Sequence, residues 1–197
     1  MDSKKITIII AFTALTIALN PIRIPTIYWP GFFYRLWEIP IVVAFLFFGP
    51  TIGIAIGAMN ALTQIILFPI PAGILAYPWG LVATLSMLTG LYLGQRLLNS
   101  DLTKSVPFGR LKPIVVLTFF GILFRACIMP FVDYAVYNSL LPIVLGRTFS
   151  EAYVLALIPG IIIFNIIVPL YTIPVSYIVA RKISGTLKFD NQFSLDN

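Results

Sequence analysis

The chain has no histidine, one cysteine and only seven acidic residues among 197 positions. Without histidine it lacks the commonest general base and metal ligand, and with them nearly every hydrolytic triad. Cys127 has no partner for an intramolecular disulfide. A thiol with no imidazole makes a poor nucleophile or metal site, so packing is its expected role. The acids are Asp2, Glu38, Asp101, Asp133, Glu151, Asp190 and Asp196, too scattered to form a metal-binding pair. No catalytic, metal or cofactor site is expected, which sets aside a membrane-embedded enzyme. A Walker-type glycine-rich phosphate loop is also missing, so energy from ATP would have to come from partners.

Charge is scarce as well: 10% of residues are charged and 59% are hydrophobic. Apolar runs follow one another at 6–19, 37–68, 74–93, 114–131 and 154–179. A membrane-spanning helix needs about 20 apolar residues, whereas barrel strands are about 10 long and alternate. The expected fold is an all-α membrane protein, a single integral membrane domain over 1–197. The net charge of +6 does not point to nucleic acid, because the basic residues scatter over helix ends rather than gathering with aromatics on one face.

Prolines, glycines and charges divide the chain into six transmembrane helices, at about 6–20, 34–48, 51–68, 73–97, 112–138 and 153–183. Gly49-Pro50 makes a tight hairpin between the second and third. With the N-terminus inside, the inner side carries nine basic residues and the outer loops carry Arg23, Arg35 and Arg147. That asymmetry predicts a multi-pass protein of the cell membrane with both termini cytoplasmic. Asn20-Pro21-Ile22-Arg23 stands where a signal-peptide cleavage site would belong, so the first apolar segment is expected to stay.

The outer loop between helices 1 and 2 is rich in proline and aromatic residues, Trp29, Phe32 and Tyr34 among them. It reads equally as an interfacial belt and as a lid closing over a flat, partly apolar ligand. Within the helices, Arg125 is the most costly residue, at roughly +2.5 to +3.5 kcal/mol for a central arginine. A helical ruler of 1.5 Å per residue places Arg125, Asn165, Asn60 and Gln64 in one mid-membrane layer. Asp133 lies about 12 Å and about 80° away from Arg125 along helix 5, too far for a direct pair. It is expected with Asn138 at the outer mouth of the same cavity. Asn60 and Gln64 read first as interhelical glue, Arg125 first as a ligand contact. Small residues recur at i, i+4: Ala14 and Ala18, Gly53 and Gly57, Gly90 and Gly94. Such spacing lets helix backbones approach closely.

These parts, in this order, resemble the substrate-binding S component of energy-coupling factor (ECF) vitamin transporters. Ala14 and Ala18 match the family's alanine-x-x-x-alanine docking surface on helix 1, and Gly49, Pro50, Gly53 and Gly57 match the opening of its third helix. Pro159-Gly160-Ile161-Ile162-Ile163-Phe164-Asn165-Ile166-Ile167 resembles the last helix of riboflavin-type members, although Val168-Pro169 stands where they have lysine-glycine. The resemblance implies no enzymatic activity, a small-molecule vitamin ligand (riboflavin or a related one), and delivery inward with a transmembrane coupling subunit and two cytoplasmic ATPases. It makes Arg125, Asn165, Asp133, Asn60, Gln64, Trp29, Phe32 and Tyr34 the expected ligand contacts, with Arg125 standing in for the missing lysine. The rival is a self-sufficient small secondary transporter, which usually shows two related halves; no internal repeat is visible.

Overall fold

The computed structural model describes residues 3–26, 33–68, 73–98, 111–146 and 148–186. α1 (Ser3–Leu19) stops just before Pro21 and buries Ile9, Thr13 and Thr16. Ala11, Ala14 and Ala18 are exposed. The chain then forms a short antiparallel hairpin, β1 (Arg23–Pro25) with β2 (Phe33–Arg35), in which Arg23 faces Arg35 and Ile24 faces Tyr34.

The hairpin corrects the expected start of the second helix. Phe33–Arg35 commit their backbone groups to β1, so α2 is only Glu38–Phe48. Pro40 falls in its first turn, where a missing N–H costs nothing. This short helix is the centre of the bundle, with Ile41 to Leu46 all buried. Gly49 turns the chain at a φ of 88°, and Pro50 opens α3 (Pro50–Leu67). A Cβ on Gly53 would lie 2.7 Å from Cβ of Phe45, so only glycine lets α2 and α3 pack this closely.

α4 (Gly73–Leu97) runs over the expected 73–97. α5 (Leu111–Ala135) ends earlier than expected, passing into a π-helical turn at Val136–Leu140 and the short α6 (Leu141–Leu145). α7 (Glu151–Thr186) is continuous through Pro159, Pro169 and Pro174. α4 packs chiefly on α5, α5 on α7, and α2 on both α3 and α7. Gly90 of α4 abuts the backbone of Phe120 and Gly121 in α5, and Gly121 in turn faces Ile173 of α7. Ile41, Phe45, Met87, Leu91, Leu117 and Ile173 knit these helices into one core.

Pro50–Leu67, Lys112–Leu145 and Glu151–Ser184 are long and apolar enough to cross a membrane; Glu38–Phe48 is apolar but shorter. Outward residues such as Phe131, Ile143 and Ile66 are large, apolar and more than 70% exposed, as a lipid-facing surface requires. Cys127 corrects another expectation. It is exposed rather than packed, because the buried face of α5 belongs to Arg125, Met129 and Asp133.

Candidate functional site

Three helices meet at Arg125. Its Nη1 donates to Glu38 Oε2 at 2.5 Å and its Nε donates to Asn165 Oδ1 at 3.0 Å. The Asn165 amide in turn donates to the Ile161 carbonyl at 2.9 Å. Arg125 and Asn165 are each 3% exposed and Glu38 is 5% exposed. Burying a guanidinium costs several kcal/mol, offset only when its charge is paired and its donors are used. Glu38 supplies that pairing from the first turn of α2, 87 positions away.

Asp133 is the third buried ionisable residue, and it does not meet Arg125. Its carboxylate accepts from the indole N–H of Trp79 on α4. Trp79 stands edge-on to Tyr137, which stands edge-on to Phe149. The opposite wall is the hairpin. Tyr34 stacks on Phe164 at 5.5 Å and meets Tyr171 edge-on. The Tyr171 hydroxyl donates to the Arg35 carbonyl at 2.8 Å, and Ser176 donates to the Ile39 carbonyl at 3.1 Å, which ties β2 and α2 to α7.

Between these walls lies a cavity of about 210 Å³. Phe33, Trp37, Tyr77, Trp79, Phe164 and Tyr171 line it, with Arg35, Glu38, Arg125, Asp133 and Asn165 among the polar groups. Aromatic faces with a few fixed polar groups suit an organic molecule with a flat body and a polar edge. Among the described residues, no cluster of three or more metal-ligating side chains forms. A smaller cavity of about 30 Å³ adjoins it, sharing Arg35, Trp37, Tyr77, Ala76 and Gly80. Asn60 and Gln64 line this smaller space, both almost fully buried. The Thr16 hydroxyl of α1 lies 3.0 Å from Asn60 Oδ1 and 2.6 Å from the Thr13 carbonyl. Burial, and then the neighbouring Arg23, hold the Arg35 guanidinium below its usual pKa range.

The structure therefore brings Arg125, Asn165 and Asp133 to one cavity and gives Asn60 and Gln64 to its annex. Tyr34 packs behind Phe164 rather than lining the space, and Asn138 is exposed on the π-helical turn. Trp29 and Phe32 lie outside the described residues. Sequence reasoning missed Glu38, Trp79, Tyr171 and Arg35. For Glu38 there was a signal, an acid standing just before an unbroken apolar run.

No protein-family model matches the chain, and neither does any curated protein. A solved structure does match in three dimensions: the S component of a bacterial ECF transporter, with a TM-score of 0.75 and 21% identity over 95% of this chain and 99% of that one. The fold of this chain is that of an ECF transporter S component.

Proposed function

We propose that the protein is a solute-binding S component: a membrane receptor that takes one small organic molecule into the aromatic cavity and releases it on the other side when energised by partners. The observation that carries this reading is the cavity itself, lined by aromatic rings and a few fixed polar groups and set within that fold. A transported molecule has to leave again, and an interlocked Arg125–Glu38–Asn165 floor offers fixed dipoles without reactive chemistry. The polar edge of the solute would meet this floor and Asp133, and its flat body would lie against Tyr77, Trp79, Phe164 and Tyr171.

The finer reading has six spans with both termini cytoplasmic and a vitamin of riboflavin type as the ligand. The exposed Ala14–Ala18 face of α1 would dock a transmembrane coupling subunit, which two cytoplasmic ATPases drive. Exposure of these alanines supports that docking, because a bare small-residue face admits a partner helix closely. Purification in mild detergent, followed by denaturation and mass spectrometry of the released small molecule, tests the receptor reading. A bound flavin would make the preparation yellow. Uptake into cells lacking every ECF coupling subunit would refute the S-component assignment in favour of a secondary transporter.

A further inference from the structure

In the hairpin, Arg23 of β1 stands directly opposite Arg35 of β2. Residues paired in this way project from the same face with Cβ atoms about 4.5–5.5 Å apart, and like charges there are destabilising. Such a pair calls for an anion between or beside the two guanidiniums. Among the described residues neither arginine forms a salt bridge. Glu38 is hydrogen-bonded to Arg125 and reaches Arg35 only through a weaker charge interaction, and Asp133 accepts from Trp79. Glu151 opens α7, 13 residues and about 20 Å before the Phe164 ring that meets the hairpin. Asp2, Asp101, Asp190 and Asp196 lie outside the described residues. The segment joining the strands, residues 27–32, contains no acid at all.

The two arginines also differ in a useful way. Arg23 is exposed, whereas Arg35 is half-buried and lines both cavities. The pair thus reaches from the exposed side of the hairpin to the wall of the aromatic space. Its backbone is anchored, because Tyr171 holds the Arg35 carbonyl. Two guanidinium forks on one face match the charge and the several acceptor oxygens of a phosphate group better than a single carboxylate would.

We infer that Arg23 and Arg35 together clasp a phosphate group at the wall of the cavity, carried by the incoming solute or by a lipid headgroup. The solute arm rests on the reading of the cavity as a receptor site; the phosphate chemistry does not.

The test uses the full chain in micelles of a phosphate-free maltoside detergent, with inorganic phosphate as the probe and chloride at equal ionic strength as the control. Phosphate raises the melting temperature of the wild type, and calorimetry gives its dissociation constant. Arg23→Gln or Arg35→Gln weakens that constant by roughly tenfold or more, as expected for losing a charge-assisted hydrogen bond. Arg35→Lys retains part of the effect. A stabilisation seen only when phosphatidylglycerol is added to the micelles, and lost in the same variants, assigns the clasp to lipid. With neither phosphate nor phosphatidylglycerol, Arg23→Gln melts no lower than the wild type, because it removes a like-charge pair. No effect of either phosphate source on the wild type, an effect unchanged in both glutamine variants, or a lower anion-free melting point for Arg23→Gln overturns the clasp. If no solute co-purifies but phosphate binds, the receptor reading fails and the clasp stands. A bound solute with no phosphate effect has the reverse meaning.

Discussion

Removing either side of the Arg125–Glu38 pair should cost more than removing both. The two groups are 3% and 5% exposed and 2.5 Å apart, with Asn165 as Arg125's other oxygen partner. Arg125→Met leaves the Glu38 carboxylate buried and unpaired, and Glu38→Leu does the same to the guanidinium. Breaking a buried pair from one side typically costs about 3–5 kcal/mol, whereas replacing both members with apolar side chains is often neutral. The double variant Glu38→Leu/Arg125→Met should therefore recover most of the loss, a coupling of about 5–7 kcal/mol against the sum of the two single losses. The expected gain is not complete, because Asn165 Oδ1 loses its donor, a further cost of about 1–3 kcal/mol. Reversible unfolding by a denaturing detergent, followed by circular dichroism, gives the four stabilities of the cycle. Additive losses would refute the claim that these charges exist chiefly for each other. The same four proteins, titrated with the co-purifying solute, separate the two roles. A floor used only as structure leaves the dissociation constant of the double variant unchanged, and a floor that also touches solute does not.

Ala14→Leu and Ala18→Leu should leave solute binding intact but weaken capture of the coupling subunit, since a bulky side chain on an exposed α1 face blocks close helix approach; pull-down against wild type checks this. Gly90→Leu should prevent the α4–α5 contact at Phe120 and lower stability by about 3 kcal/mol or more, the upper end of overpacking, read as a drop in melting temperature. Tyr171→Phe removes the bond that holds the Arg35 carbonyl, worth about 0.5–1.5 kcal/mol. It should speed solute release by roughly two- to tenfold with little change in the association rate, measured by stopped-flow.

The helices that punctuation marks were legible from sequence. Gly49-Pro50 and the prolines around 69–71 bracket α3, and α4 falls on its expected range. The hairpin was not, because three-residue strands are too short to show a period of two. Phe33–Arg35 differs little in composition from the start of an apolar helix, so its pairing with Arg23–Pro25 is a tertiary choice. The site was half legible. Depth along a helix can be counted, and it placed Arg125 and Asn165 at matching levels. Direction around the helix axis could not be read, because these helices are apolar on nearly every side. A counter-ion was therefore sought on α5 itself, at Asp133, when it came from the first residue of α2.

The short length of α2 has a consequence for the barrier the solute faces. Eleven residues rise about 16 Å, roughly half of a hydrocarbon core about 30 Å thick. Glu38 begins this helix, and it is also part of the cavity wall. The hairpin, not a helix, continues the chain on the other side of Glu38. The bundle is therefore a socket more than a plug. On the receptor reading proposed above, a molecule resting on the Arg125–Glu38–Asn165 floor would already have travelled about half the thickness of the bilayer by diffusion alone. Only the layer formed by α2 and its neighbours, with Ile41, Phe45, Met87 and Leu91 at its centre, separates it from the far side. On the same reading, work supplied by partners would act on that remaining septum, either by opening it or by turning it over.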